Sequence, residues 1–510
     1  MHINMLKKFN ERVETINTVI TDDVDDGEQC DFPVTVEWTE GPKHFKIGKQ
    51  LAAEQQQQLH ELLNEFSDVF SDIPGRTHLI THTIKLTDST PRAQAPYKVP
   101  IKLQEKVDAE LDRLLEAGLI VESESPWAAP MVCVAKRNSD EIRICCNWKQ
   151  LNAQTVDDAY PSADPNELLS KAASAPFITK LDLRKGFWGI PLDPESIPMT
   201  SFRTPRGQYA WTVMGMGLKT ASKTMQRLLD RLLRGCSKFC GSLLDDIVIY
   251  SLTFDDHVGH IREILTRLRT AGLKANVSKC EFLMPTLEVL GHTLEDGLIK
   301  PSMDKVQAIV NMSRPVDKST LRCLIGLANY YRHFQEKLAD TLFPLTELLK
   351  RDQPDKLKWE AKHEEAFQHI KRNLMSKPVL MPPNPSKPYI LQTDASNVGI
   401  SAILAQLDDN GTEHVVSYSS RKLLPRERNY SVIEKECLAI LFGLIKHDNW
   451  VYGSKITVVS DHRALQWLGS ISQHSPRLAR WALLLQRYDI TTVYRKGAEH
   501  ANADALSRLN

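Results

Sequence analysis

The chain has 510 residues, 42% of them hydrophobic, and 64 basic against 64 acidic side chains; residues 1–75 hold 15 acidic and 6 basic residues, a net of −9, which leaves +9 on the rest. A moderately basic body behind an acidic leader is compatible with nucleic acid, while the strongest apolar stretch, around 437–445, falls well short of the ~20 residues that cross a bilayer, and the amino-terminal MHINMLKKFNERVETI has no apolar signal core. Nine cysteines without a CxxC pair, and without histidines at zinc-finger distance from Cys236 and Cys240, read as buried thiols in a reducing compartment.

The length predicts three or four domains. Residues 20–32, TDDVDDGEQCDFP, are too acidic and apolar-poor for a core and read as a solvated linker. Leu59, Leu62, Leu63, Phe66 and Phe70 recur at helical spacing and predict a helix over 51–70, ended by Pro74-Gly75. A second helix carries Leu103, Val107, Leu111, Leu114 and Leu115, with Gly118 as its cap. Strands are expected at 130–135 and 142–148, joined by a polar turn with Lys136 and Arg137, and at 177–183, near whose end Asp182 sits.

Helical periodicity returns over 257–271 and again after Ser319, an expected N-cap, through Leu321, Leu324, Leu327, Tyr331 and Phe334. The prolines between 378 and 388 mark a boundary. Beyond them come strands at 389–393, 400–405 and 414–418, a helix from Ser431 to about Lys446, a strand at 456–459, a helix over 477–488, a strand at 490–494 and a terminal helix.

Two acidic side chains inside an apolar run, Leu243-Leu244-Asp245-Asp246-Ile247-Val248-Ile249-Tyr250, predict a tight hairpin with both aspartates at its bend. Asp-Asp alone can be turn chemistry. With Asp182 at another strand end, however, three carboxylates can meet on one sheet edge, where hard oxygen ligands suit a pair of Mg²⁺ ions. In the carboxy-terminal part, Asp394 ends a strand, Glu436 faces inward from the long helix, Asp461 ends another strand and Asp504 opens the last helix.

The segments SPWAAPMVCVAKR, RICCNWKQLN, KLDLRKGF, TPRGQYAW, VMGMGLKTASKTMQRLLD, LLDDIVIYS, VLGHTLEDG and ANYYRHF, in this order from about Thr77 onward, resemble the reverse transcriptases of Gypsy-type LTR retrotransposons. The resemblance implies an α+β right-hand polymerase of fingers, palm and thumb. Asp182, Asp245 and Asp246 would then be its catalytic triad, with Asp182 and Asp245 as metal ligands. Lys136 and Arg143 would hold the incoming triphosphate and Phe187 would be the steric gate, with Met216 also at the nucleotide. Leu290, Gly291 and His292 match the primer grip. The segments TDASNVG, YSVIEKECLAI, VVSDHRAL and HANADALSR resemble an α/β ribonuclease H-like domain. This implies that Asp394, Glu436, Asp461 and Asp504 bind two Mg²⁺, for which Mn²⁺ can substitute. The implied partners are an RNA template, a DNA primer, an RNA:DNA hybrid and dNTPs, with no membrane, and a dimer is allowed. The implied location is a retroelement particle in the cytoplasm, with access to the nucleus.

The domain expectation is a leader over 1–75, fingers and palm over 76–299, thumb and connection over 300–385, and ribonuclease H over 386–510. No Asp-Thr-Gly protease motif precedes and no integrase follows, so the chain reads as a processed product or a truncated reading frame. It departs from the family pattern at Leu243, Asn147, Trp188, Gly189, Met199, Ala210, Gly215, Met216, Thr220, Ser222 and Met225. A glycine gained and a proline lost near Met216 are expected to loosen the loop facing the incoming base. The expected activity is RNA-directed DNA synthesis with hybrid cleavage, the departures predicting a slow or inactive polymerase beside an intact nuclease. The alternatives are a polymerase-impaired hybrid nuclease and a host-retained nucleic-acid-binding protein.

Overall fold

A computed structural model describes residues 44–71, 73–135, 142–161, 163–376, 378–460 and 476–494. They divide into two compact units, one of residues up to 165 with 177–284, the other of 166–176 with 285 onward.

The strands of the first unit are β1 (Lys46–Ile47), β2 (Ile120–Glu122), β3 (Ala129–Ala135), β4 (Ile142–Cys146), β5 (Phe177–Asp182), β6 (Ser201–Arg203), β7 (Gln208–Trp211), β8 (Cys240–Leu243), β9 (Asp246–Ser251) and β10 (Glu281–Phe282). They form two five-stranded sheets, ordered β1-β10-β5-β9-β8 and β2-β7-β6-β3-β4. In the first, β9 lies between β5 and β8 and pairs antiparallel with both. Ile247, Val248 and Ile249 of β9 are wholly buried. A strand buried on both faces reads as an unbroken apolar run, which accounts for the sequence after the acidic pair. The helix Phe254–Thr270 packs on β9. Thr253 caps it, its Oγ1 accepting from the Asp256 N–H at 3.2 Å, and Arg267 and Arg269 lie in its last turn, where cations suit the helix dipole.

The helix expected over 51–70 spans Ala53–Glu65. It packs on the helix Phe254–Thr270, and Phe45, Phe70 and Phe282 meet edge to face at 5.1–6.1 Å. Residues 44–70 therefore pack into the hydrophobic core of the first unit. Full burial of side chains such as Phe70 and Phe282 contributes roughly 1.5–3 kcal/mol each.

The second unit opens with a three-stranded antiparallel sheet, β11 (Thr286–Val289), β12 (His292–Glu295) and β13 (Leu298–Pro301). Ile299 and Leu380 exchange backbone hydrogen bonds at 2.9 Å, so this sheet groups with residues that follow it, in the second unit. Helices Met303–Val310, Lys318–Tyr330, Leu338–Glu347 and Ala361–Met375 follow. The N-cap of the second is Asp317, not Ser319: its carboxylate accepts from the Thr320 N–H at 2.7 Å, a stronger acceptor one turn ahead of the apolar stripe.

A mixed sheet of β14 (Tyr389–Ala395), β15 (Gly399–Leu407), β16 (Glu413–Lys422), β17 (Lys455–Ser460) and β18 (Asp489–Tyr494) then forms in the order β16-β15-β14-β17-β18. The first three strands are antiparallel neighbours, whereas β17 and β18 run parallel to β14. The helix Val432–Lys446 packs on β14 and β15. Its N-terminus is a capping box between Ser431 and Glu434. Gly443 lets it approach closely, because a Cβ there would lie 2.9 Å from the Ala402 Cβ. The terminal helix expected around Asp504 lies outside the described residues. Among the described residues no helix is long and apolar enough to cross a membrane.

Candidate active sites

Leu243 pairs with Asp246, so the turn between β8 and β9 consists of Leu244 and Asp245, and Asp246 is the first residue of β9. The bend thus lies one residue earlier than the sequence suggested. Leu244 has φ +57°, a left-handed conformation uncommon for a leucine, and tight two-residue hairpins require such backbone. The Asp245 carbonyl accepts from the Leu183 N–H at 3.1 Å, which ties the turn to the end of β5.

Asp182 ends β5 directly opposite Asp246. Burial raises the Asp182 pKa above the ordinary carboxylate value, against the pull of Lys279. Burial also pushes Asp246 up to about 6, opposed by Lys180 and reinforced by Asp245 and Asp182. Lys279 Nζ lies 3.2 Å from Asp182 Oδ2, and Lys180 Nζ is 3.9 Å from Asp246 Oδ1. Sequence reasoning missed both lysines. Alternation along β5 places Lys180 on the face of Asp182 and was a usable signal. Lys279 has none, since it arrives from a separate segment.

Among the described residues no three acidic, histidine or cysteine side chains converge tightly enough to enclose an ion. The donor chemistry nonetheless fits Mg²⁺. Three carboxylates occupy adjoining hairpin and ladder positions, two of them with raised pKa values, and lysine ammonium groups stand beside both of those.

Lys136 lies outside the described residues, and of Arg143 only the backbone is described, in β4 opposite Val134. Phe187 sits half-buried in the short turn Gly186–Gly189 that follows β5. Met216 is 41% exposed. The expected loosening of its loop meets a set of ties: Trp148 Nε1 donates to the Met216 carbonyl at 3.0 Å, and Asn152 donates to the Gly217 carbonyl at 2.9 Å and accepts from the Lys219 N–H at 2.9 Å. Met225 is fully buried, with its Cε against Gly186.

Leu290 and Gly291 form the turn between β11 and β12, at φ +51° and +71°. The Tyr331 hydroxyl donates to the Gly291 carbonyl at 2.8 Å, and the Tyr330 hydroxyl to that of Leu290. The His292 ring stacks on Tyr330 and Phe334 at 5.5 and 5.6 Å. Tyr330 and Tyr331 therefore pack against this hairpin.

In the second unit Asp394 stands next to the end of β14, opposite Ser401, and Glu436 is buried on the helix packed over that strand. Asp461 directly follows β17 and, like Asp504, lies outside the described residues. Lys337 Nζ is 2.7 Å from Asp394 Oδ2, a partner the sequence did not indicate.

A palm sheet with an acidic hairpin turn, followed by a mixed-sheet domain with further strand-end and helix carboxylates, is the arrangement of a reverse transcriptase domain followed by a ribonuclease H-like domain. Residues 134–294 match the family model of reverse transcriptase (RNA-dependent DNA polymerase), and residues 384–488 match that of the RNase H-like domain found in reverse transcriptase. The chain is 36% identical over 460 residues to the retrovirus-related Pol polyprotein from transposon 297 of Drosophila melanogaster, covering 88% of this chain and 43% of that protein. It is 32% identical over 448 residues to the Pol polyprotein from transposon gypsy of the same organism, covering 84% and 43%. The chain thus belongs to the reverse transcriptase and ribonuclease H segment of gypsy-like retrotransposon Pol polyproteins, and spans less than half the length of these curated relatives. Its fold is that of the foamy viral protease-reverse transcriptase, solved as the dRH form with double-stranded DNA (TM-score 0.77, 21% identity, 88% of this chain and 80% of that one) and with RNA/DNA hybrid (TM-score 0.72, 21% identity, 88% and 61%).

Proposed function

We propose that the chain synthesises DNA on an RNA template and cleaves the RNA strand of the resulting hybrid. The observation that carries this reading is the direct cross-strand pairing of Asp182 and Asp246, with Asp245 in the adjoining turn. Asp182 and Asp245 would hold Mg²⁺ or Mn²⁺, with Asp246 completing the triad. When bound by these carboxylates, two such ions would supply activation of the primer 3′-hydroxyl and charge stabilisation of the leaving pyrophosphate. The β-hairpin fixes the carboxylates before substrate arrives. Lys136 and Arg143 would bind the triphosphate of the incoming dNTP, Phe187 would exclude a ribose 2′-hydroxyl, and the turn at Leu290 and Gly291 with His292 would seat the primer strand. Asp394, Glu436, Asp461 and Asp504 would hold the ions of the hybrid nuclease. On this reading the chain would work in a retroelement particle in the cytoplasm, with access to the nucleus.

The test is primer extension on an RNA template with dNTPs and Mg²⁺, beside cleavage of an RNA:DNA hybrid. Extension that Asp245→Asn abolishes supports the reading; cleavage without any extension supports a nuclease whose polymerase half only holds the duplex. The second reading has one observation in its favour: Trp148, Trp188 and Trp211 crowd the small cleft beside Gly215 and Met216.

A further inference from the structure

The ribonuclease H-like match begins at residue 384, yet among the described residues the cation paired with Asp394 comes from outside it, from Lys337, which precedes the helix Leu338–Glu347. Lys337 is presented by a moored segment. Arg332 Nη2 donates to the Ser420 carbonyl at 2.9 Å, the Ala339 N–H donates to Ser420 Oγ at 3.0 Å, and Ser396 Oγ donates to Asp340 Oδ1 at 3.1 Å. Gly399 leaves room for that last carboxylate, which a Cβ there would overlap. Between these ties Lys337 adopts φ +48°, a conformation lysine does not favour, and its ammonium reaches Asp394 Oδ2 at 2.7 Å. A divalent cation bound by Asp394 needs the oxygen lone pairs that this ammonium now engages, and is also repelled by its charge.

We propose that Lys337 is a positioning residue of the nuclease site: its ammonium holds the Asp394 carboxylate in place and yields it to an incoming divalent cation, so that the segment before the helix Leu338–Glu347 sets the metal concentration at which the site fills. This rests on the assignment of Asp394 as a nuclease metal ligand.

The test is Mn²⁺ binding followed by electron paramagnetic resonance on the full chain, with the polymerase triad silenced by Asp182→Asn, Asp245→Asn and Asp246→Asn. Lys337→Asn removes the charge with a residue that tolerates left-handed backbone, and Lys337→Gly repeats the change with less conformational demand. Both variants tighten Mn²⁺ by about fivefold, the scale of a half-exposed ion pair, whereas Lys337→Arg stays near the parent. The Mg²⁺ midpoint of hybrid cleavage, measured with the polymerase triad intact, falls by a similar factor. Unchanged or weaker Mn²⁺ binding in the uncharged variants, with the site lost in Asp394→Asn, overturns the role of Lys337 alone. Mn²⁺ binding unaltered by Asp394→Asn overturns the nuclease-ligand assignment and this proposal with it.

Discussion

Lys279 donates to both carboxylate oxygens of Asp182, at 3.3 and 3.2 Å, across a sequence separation of 97 residues. The lysine is largely exposed and the aspartate largely buried. Without the ammonium, Asp182 faces Asp245 and Asp246 with less counter-charge. Lys279→Met is therefore expected to destabilise the metal-free protein by about 0.5–1 kcal/mol, screening by solvent keeping the effect small, and to be stabilised by Mg²⁺ more than the parent is. Thermal unfolding with and without Mg²⁺ checks this; identical Mg²⁺ responses would sink it.

Asp182, Asp245 and Asp246 belong to the first unit, and Asp394 and Glu436 to the second. Asp245→Asn is expected to reduce primer extension by ~10²-fold or more and leave hybrid cleavage near the parent rate, and Asp394→Asn the reverse. Parallel assays on both variants provide the measurement, and loss of both activities in either single variant would count against separate sites.

The left-handed Leu244 makes the polymerase turn sensitive to side-chain shape. A β-branched residue is strongly disfavoured there, so Leu244→Val should cost about 1 kcal/mol and depress primer extension. Leu244→Gly should be close to neutral, because relief of strain is offset by the greater freedom of the unfolded chain. Denaturant unfolding of the pair, with the valine variant no less stable than glycine, would contradict the turn geometry.

Among the described residues, His82, His257, His292 and His447 are buried histidines that strongly resist protonation. Burial lowers His82, His292 and His447 to about 4 and His257 to about 3, from an ordinary value of 6.5. His257 accepts or donates at both ring nitrogens, to Thr179 and Ser251, each at 2.8 Å. The unfolded chain takes up these protons near pH 6.5 and the folded one only near pH 3–4, so their contribution to stability is complete above pH 6.5 and declines as the pH falls toward 4. At about 1.4 kcal/mol per unit of displacement, the loss between pH 6.5 and 4.5 should reach several kcal/mol. Unfolding followed across that range tests it; a flat profile would be incompatible with neutral buried rings.

Trp148 substitutes for the local stiffness the Met216 loop otherwise lacks. Trp148→Phe keeps an aromatic ring but removes the donor and part of the buried indole, leaving the Met216 carbonyl without this partner, at a cost of about 1 kcal/mol for the lost hydrogen bond and more for the lost buried surface. The expected effect is a severalfold rise in KM for dNTPs with hybrid cleavage unchanged. If KM stayed put, the loop would not be part of nucleotide binding.

Much of this architecture was legible in the sequence because local rules decided it. Unbroken apolar runs marked strands buried on both faces, three- and four-residue spacing marked the helices, and glycine or acidic turn residues marked their ends; β9, the helix Phe254–Thr270 and the helix Val432–Lys446 all follow. The acidic residues at strand ends were legible for the same reason, since a charge within an apolar run has no local partner and has to be there for another purpose. An error arose where packing outranked local signals: the bend of the acidic hairpin moved by one residue because cross-strand pairing of Leu243 with Asp246 fixes the register. Residues 44–70 joined the core of the first unit because Phe45 and Phe70 found Phe282 far along the chain.

What the sequence by itself determined is the family, the order of the two domains and the identity of the acidic residues, all properties of local pattern. Only the tertiary structure decided which cations stand beside those carboxylates. Lys279 reaches Asp182, the Lys180 ammonium comes within 3.9 Å of Asp246, and Lys337 holds Asp394. Electrostatic partnership depends on distance in space, which for Lys279 and Lys337 only the folded chain sets.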